Sequence, residues 1–369
     1  MVDWSQLPTE LLQLISQKLN SEFYLLRFRS VCSTWRCSSI PNFPRNNPLP
    51  FKLPPLYPDN DGICYLVQHN IFLIKPTTTT ITIPHQHQQI LQPLLIRIGP
   101  NVTGEIHLWH PLDLDQRLPF HFPHKVIFDF NHISIVDLGH VFLLYMLKDS
   151  DSLQNHPYPY VYHENVVAAT CPGELQPLIV TFNRYYEPCV FRPGDDAWMK
   201  IPNVVSDYGD IYSFKGRICV VDQTGQTAMV GPDLSVDFAA AKLSDPGRVR
   251  LCLVESELLL VVSCYGGVNN VRINVYRLDE KKKMWVKLSN LGDRVLFLGN
   301  QCLFSASSSD LGFDNGNCVI TIMSDVSMKC GLSVLNFDEG RVLPLSDYPD
   351  YFKLLANSGV DGEQQHWEN

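Results

Sequence analysis

Close histidine pairs are the residues whose types and spacing most invite chemistry: His85 and His87 in PHQHQQ, His107 and His110 in HLWHP, His121 and His124 in FHFPH. Zinc needs more ligands than two imidazoles supply, and no Cys-x-x-Cys accompanies any of the pairs. They read as surface or turn histidines, and no metal is expected. Asp59-Asn60-Asp61-Gly62 has the opening of a calcium loop, but no Glu stands where the closing bidentate ligand belongs, so it reads as a turn. No Gly-x-Ser-x-Gly elbow presents a nucleophile, and no glycine-rich loop is built to cradle phosphate; Gly266-Gly267 is an isolated pair between strand patterns. The run DEKKKMW, Asp279–Trp285, reads as a solvated hairpin tip. The aromatic runs RYYEP (Arg184–Pro188) and YPYVYH (Tyr158–His163) read as strand-packing residues, with a binding role on a domain face as the lesser alternative. These residues assemble no catalytic constellation, and the sequence predicts no catalytic residue and no cofactor.

Composition narrows the remaining classes. The chain has 369 residues with 45% hydrophobic and 18% charged side chains, as in ordinary globular proteins. The opening MVDWSQLPTE carries Asp3 and Glu10 and no apolar run, unlike a secretory leader. The most apolar long stretch, 126–147, is broken by Asp129, Asn131, His132, Asp137 and His140, so no transmembrane helix and no membrane partner are expected. Eleven cysteines lie scattered, mostly inside apolar runs such as RICVV and RLCLV, as reduced thiols do. An intracellular protein of the nucleus or cytoplasm is expected, and the sequon Asn101-Val102-Thr103 should stay unmodified. Charge is uneven. Up to position 45, Lys18, Arg27, Arg29, Arg36 and Arg45 outnumber Asp3, Glu10 and Glu22, leaving 24 basic against 35 acidic residues in the remainder. So acidic a body repels phosphate backbones, and no nucleic-acid partner is expected.

The elements that would position any site fall into two kinds. Pro8 suits a first helical turn and Glu10 the positive end of the helix dipole, and Leu11, Leu12, Ile15 and Leu19 follow within a stripe of about 100°. Asn20 and Ser21 offer a stop and a new cap. A second helical pattern places Phe28, Val31, Cys32 and Trp35 at i, i+3, i+4 and i+7, led in by Leu25 and Leu26, and ends before Pro41. Seven prolines then stand between Pro41 and Pro58, an extended connector. Beyond it the period drops to about two, with short apolar runs such as IFLI, PLIVTF, LLLVVSC and CVITIM separated by turn residues. No comparable helical segment interrupts them, so the large domain is expected to be all-β. Trp198-Met199-Lys200-Ile201 recurs as Trp285-Val286-Lys287-Leu288, each before a glycine turn and a cysteine-bearing strand with Cys219 or Cys302. That spacing is about twice the ~40–50 residues of a propeller blade. A propeller is favoured, with a pair of β-sandwiches as the alternative.

The helical segment poses its own question, because about thirty residues cannot bury so many large apolar side chains among themselves. The helices could pack on the β-domain, but the Pro-rich connector separates the two parts, so the surplus is expected to serve another protein. The pattern LPxELLxxIxxxL…LLRFRSVCSTWR, Leu7 to Arg36, resembles the F-box, the helical module that docks on the Skp1 adaptor of cullin–RING ubiquitin ligases. Tyr24 departs from the acidic or polar residue often found before Leu-Leu-Arg. The resemblance implies a three-helix module and adaptor-binding roles for Leu7, Pro8, Leu11, Leu12, Ile15, Leu19, Leu26, Val31, Cys32 and Trp35, with service to the module's own core alone as the alternative for Ile15 or Val31. The form LLRFRSVCSTWRCSSIP, the Pro-rich linker and the closing NCVITIM…GLSVLNFDEGRVLPL are similar to plant F-box proteins with a KIB-type β-propeller. Two departures are TIMSDVS, which retains only Asp325, and the ending YPDYFKLLANSGVDGEQQHWEN, which lacks an aromatic-Pro close.

The expected organisation is therefore an α plus all-β chain: an F-box over 1–41, a linker over 42–59, a β-propeller over 60–357 and a disordered tail over 358–369. The resemblance implies a non-catalytic, substrate-recognition subunit of a Skp1–cullin–F-box ligase that needs no cofactor. Its partners would be a Skp1-like adaptor, cullin through it, and an unidentified target protein held by the propeller. A scaffold that binds the adaptor without directing degradation, and a propeller enzyme, stay open as alternatives.

Overall fold

Thr9–Lys18 contains no Gly or Pro and folds as the first helix, α1. The computed structural model describes residues 7–19, 22–39, 50–56, 63–76, 93–113, 133–147, 160–169, 177–204, 209–244, 247–265, 271–299, 302–324, 330–337 and 341–356. Pro8 stands just before the helix rather than inside its first turn, and its carbonyl accepts the amides of Leu11 and Leu12, each at 3.1 Å. The second helical pattern is not one helix. It divides into α2 (Glu22–Ser30) and α3 (Ser33–Ser38), with Cys32 extended between them at φ −162° and ψ 175°. Ser30 turns its hydroxyl back onto the Arg27 carbonyl at 2.7 Å, and β-branched Val31 follows, a local combination that weakens helix continuation. The break lets α3 fold back against α1 and α2, which a straight helix could not do. The proposed stop at Asn20 and Ser21 lies outside the described residues.

The chain divides into two compact units, Met1–Pro48 and Leu49–Asn369. In the second, Phe51–Leu53 does not continue the extended connector expected there. It forms a short strand, β1, paired antiparallel with β2 (Ile63–Pro76). These strands join β3 (Leu94–Pro100), β4 (Ile106–Trp109), β5 (Ile133–Leu147), β6 (Tyr160–Ala169), β7 (Leu178–Phe182), β8 (Pro188–Phe191) and β9 (Met199–Lys200) in one sheet of order β4-β3-β2-β5-β6-β7-β8-β9. Two four-stranded antiparallel sheets follow: β10 (Asp210–Phe214) to β13 (Val236–Ala240) through β11 (Arg217–Val221) and β12 (Thr227–Val230), then β14 (Arg248–Val254), β15 (Glu257–Tyr265), β16 (Val271–Asp279) and β17 (Met284–Lys287). The last sheet has the order β19-β18-β20-β21-β22, built from β18 (Arg294–Leu298), β19 (Leu303–Ser307), β20 (Cys318–Ser324), β21 (Cys330–Asn336) and β22 (Arg341–Pro344). There β18 and β20 run parallel, so the chain must cross over between them, and the short helix α4 (Ser308–Leu311) lies in that crossover.

Alternation along the strands explains how these sheets need so little helical cover. In β15, Leu258, Leu260 and Val262 pack with Val249, Leu251 and residues of β10–β13, whereas Leu259 and Val261 face Leu296, Leu298 and Val319 of the last sheet. Both faces are buried, so the strand reads as a continuous apolar run. Five such cores occur in sequence around the domain, and the nine-stranded sheet borders three of them. Neighbouring strands close a circle: β6 lies against β10, β10 against β14, β14 against β19, β19 against β5, and β5 pairs with β6. Among the described residues the second unit is thus a propeller-like ring of five sheet units, two of them fused through β5 and β6.

The tryptophan repeat spans two of those units. Trp198 donates its indole N–H to the Pro54 carbonyl at 3.1 Å, and Trp285 donates to the Gly225 carbonyl at 2.9 Å. Trp285 thus ties the outer strand of its sheet to the preceding sheet, whereas Trp198 ties one end of the nine-stranded sheet to the segment just after β1 of that same sheet. The last seam contains a helix absent from the sequence expectation, α5 (Pro349–Ala356), whose Tyr351, Leu354 and Leu355 share a core with Ile71, Leu73 and Leu95 near one end and Phe297 and Ile320 of the last sheet.

Candidate protein-docking face

The helical unit has a small core of its own. Leu12 of α1 and Leu25 and Phe28 of α2 are buried, and the Phe28 and Trp35 rings meet at 4.6 Å between centroids. Two arginines fix the crossing of α2 and α3. Arg29 donates through Nη1 to the carbonyls of Arg36 (3.1 Å) and Ser39 (2.6 Å), and Arg36 donates through Nε to the Arg29 carbonyl at 3.2 Å. A guanidinium satisfies helix C-terminal carbonyls well, because those carbonyls lack intrahelical donors and carry the negative end of the dipole.

What this core leaves out is more informative than what it contains. Leu11, Leu14 and Ile15 are 46%, 57% and 41% exposed, and Val31 is 55% exposed. At about 100° per residue, Leu11, Leu14 and Ile15 fall on one face of α1, whereas Leu12 and Ser16 point the other way into the unit. Exposed Pro8 and half-buried Leu7 lead into that outer face, and half-buried Leu19 ends it. The structure therefore separates the sequence-predicted residues. Leu11, Ile15 and Val31 are outward, Leu12 is interior, and Leu7, Leu19, Cys32 and Trp35 are at intermediate depth. The side chain of Leu26 lies outside the described residues. Sequence reasoning missed Leu14, the most exposed apolar residue of α1, although its i+3 spacing from Leu11 marks it as a neighbour on the same face.

Among the described residues the histidines do not form a competing site. His110 is buried, and its Nδ1 accepts the amides of Leu112 (3.2 Å) and Asp113 (3.0 Å), which makes it a buried turn ligand rather than a surface residue. Burial lowers its pKa to about 4, partly opposed by Asp113. His107 lies edge-on to Trp109, and the ring of buried His69 stacks on the same indole. Among the described residues, no group of three or more His, Cys, Asp or Glu converges as metal ligands would. His85, His87, His121, His124 and the turn Asp59 to Gly62 lie outside the described residues.

Comparison with known proteins accords with this geometry. Residues 4–43 match the F-box domain and residues 61–338 match the KIB1-4 beta-propeller. F-box protein SKIP23 of Arabidopsis thaliana is 31% identical, over 96% of this chain and 94% of its own length. From the same plant, F-box protein At2g17036 is 28% identical over 96% of this chain and 93% of its own, and F-box/kelch-repeat protein At1g64840 is 28% identical over 98% and 88%.

Proposed function

Because the chain belongs to the family of F-box proteins with a KIB1-4 beta-propeller, we propose that it is the substrate-recognition subunit of a Skp1–cullin–F-box ubiquitin ligase. The F-box implies Skp1-type adaptor binding in general. The observation that carries the reading for this chain is the outward stripe of Leu11, Leu14 and Ile15 with Val31, four large apolar side chains left exposed by a unit of under fifty residues. Each is about half exposed, so covering the remainder is worth about 1 kcal/mol apiece, several kcal/mol together toward holding an adaptor against the costs of association.

The mechanism is proximity. With the F-box on the adaptor and a target on the propeller, the target's lysines sit at high effective concentration beside the ubiquitin-loaded enzyme that cullin recruits. The chain itself would make and break no covalent bond, in keeping with F-box proteins as non-catalytic subunits. We place it in the nucleus or cytoplasm. The nine cysteines whose side chains are described are free thiols, six of them buried, which supports a reducing compartment.

Co-purification tests the reading. Wild-type full-length chain should retain a purified Skp1-like adaptor through gel filtration. The triple variant Leu11→Glu, Leu14→Glu, Ile15→Glu should lose it while its thermal melt stays within a few degrees of wild type, since all three side chains already face solvent. Retention of adaptor by the variant would remove the stripe from the mechanism. Failure of the wild type to retain it would remove the ligase reading altogether.

A further inference from the structure

The second unit carries a feature that adaptor docking does not use. A cleft of about 340 Å3 opens where β11–β13 face the segment after β9. Its floor follows a cross-strand row, Val220 opposite Ala228 and Ala228 opposite Phe238. Val220 is buried and Phe238 is 46% exposed, so the small Ala228 between them leaves room for one apolar side chain, with Asn203, Val204 and Leu234 as walls.

The rim of this cleft departs from the charge of the whole molecule. The Ala241 amide at the end of β13 donates to the Lys283 carbonyl at 3.2 Å, which brings the β16–β17 turn to the edge of the β10–β13 sheet. Lys283 Nζ lies 6.0 Å from the Phe238 ring centroid; exposed Lys281 and Lys282 precede it in the turn, and exposed Lys242 follows Ala241 in sequence. Asp222 lines the cleft itself and accepts the amides of Thr224 (2.8 Å) and Gln226 (3.0 Å), and the carboxylates at the lysine side are also engaged. Glu280 pairs with Lys215 at 2.5 Å and Asp237 with Arg217 at 2.7 Å, and Asp279 accepts the amides of Lys281 and Lys282 while facing the Lys282 ammonium at 3.8 Å. Among the described residues no carboxylate pairs with Lys242, Lys281 or Lys283. In a chain of net charge −9, Lys283 beside the exposed Phe238, with Lys242 and Lys281 close to it along the chain and exposed Met284 next to it, makes this edge locally basic and apolar.

We propose that this cleft binds an acidic peptide segment that inserts one apolar side chain over Ala228, between Val204 and Phe238, and lays carboxylates on Lys242, Lys281 and Lys283. Charge complementarity selects the occupant: lysines alone would accept any anion, but the apolar floor asks for a side chain that phosphate backbones lack, and the acidic remainder of the chain repels a long polyanion. The inference rests on the ligase reading only in assigning this segment to the recruited target.

Fluorescence anisotropy on the full-length chain provides the test. The probe is a labelled peptide, Glu-Asp-Glu-Glu-Leu-Glu-Glu-Asp-Glu, with two controls, one carrying Lys for every acid and one carrying Ser for Leu. The acidic Leu peptide should bind, the Lys control should not, and the Ser control should bind about tenfold more weakly. Ala228→Leu, which fills the floor, and Lys281→Glu with Lys283→Glu, which reverses the rim, should each weaken binding about tenfold, and added salt should weaken it further. Should Ala228→Leu fail to fold, the rim variant alone decides the matter. No preference for the acidic peptide over the Lys control, equal binding to wild type and the rim variant, or tighter binding of a ten-nucleotide oligothymidylate at the same lysines would each overturn the proposal. Adaptor retention, measured in parallel, keeps the two readings apart. Its loss with peptide binding intact sinks the ligase role, and its persistence without peptide binding sinks the cleft alone.

Discussion

Leu11 and Leu12 are neighbours in sequence with opposite fates: the first is 46% exposed and the second fully buried. Leu12→Ala should destabilise the helical unit by about 2–5 kcal/mol, more than so small a core can lose, whereas Leu11→Ala should shift stability by no more than about 0.5 kcal/mol. Urea melts followed by the Trp35 signal, read on both variants, check the contrast; equal losses would contradict the assigned faces. The apolar stripe was legible from spacing, but its sidedness was not, because Leu11 and Leu12 are the same residue type and only the packing of α2 and α3 decides which turns inward. At His69, burial lowers the pKa to about 3, aided by the charge of Arg97 and opposed by a 2.9 Å contact with the Pro100 carbonyl. The unfolded chain takes up this proton near pH 6.5 and the folded chain does not. Stability from this residue is therefore complete above about pH 6.5 and falls by about 1.4 kcal/mol per pH unit from there toward about pH 3. Thermal melts between about pH 7 and pH 5 should show that decline in wild type and a shallower one in His69→Gln. No single-sequence signal marked His69, since a lone histidine in an apolar strand has no motif.

Elements were legible where their period was clean. The runs LLLVVSC and RICVV read as short strands, and they are β15 and β11, which the structure buries on both faces. Two features escaped. The Val31–Cys32 break was hidden because i, i+3, i+4 and i+7 spacing survives a kink that redirects the second half. The helix α5 was hidden within a segment marked mainly by its lack of an aromatic-Pro close, although Pro349 at its start, Asp350 in its first turn and Tyr351, Leu354 and Leu355 at helical spacing are ordinary helix signals. Between strands, one carboxylate does what no sequence pattern could reveal. Asp210 at the start of β10 accepts the amides of Ile211 (2.8 Å) and of Leu251 on β14 (2.6 Å), together with the side-chain amide of Asn165 on β6. It thereby ties three neighbouring sheet units, and burial pushes its pKa up against the pull of Arg250. Asp210→Ala leaves those buried donors without their acceptor, at about 1–3 kcal/mol each. The expected result is a propeller transition several degrees lower in calorimetry, with adaptor retention unchanged; an unaltered transition would show that the tie carries no weight.

At the scale of the molecule, the sequence carried the division into a helical and an all-β unit through the switch of period across the prolines, and it carried the family through Leu7 to Arg36. It did not carry the number of sheet units. The Trp198–Trp285 and Cys219–Cys302 matches skip a unit, and β5 and β6 fuse two units into a single sheet, so no regular period survives to be counted. Nor did it show the basic and apolar cleft, because Lys242, Lys283 and Phe238 meet only once two sheets stand side by side. The central claim remains that the helical unit exposes an apolar face which a second protein covers. Hydrogen–deuterium exchange on the full-length chain, with and without a purified Skp1-like adaptor, tests it most directly. The account predicts that adaptor slows exchange in peptides spanning residues 7–19 and 31–38 and leaves the propeller strands unchanged. A stable complex that leaves both segments exchanging at their free rates would contradict it.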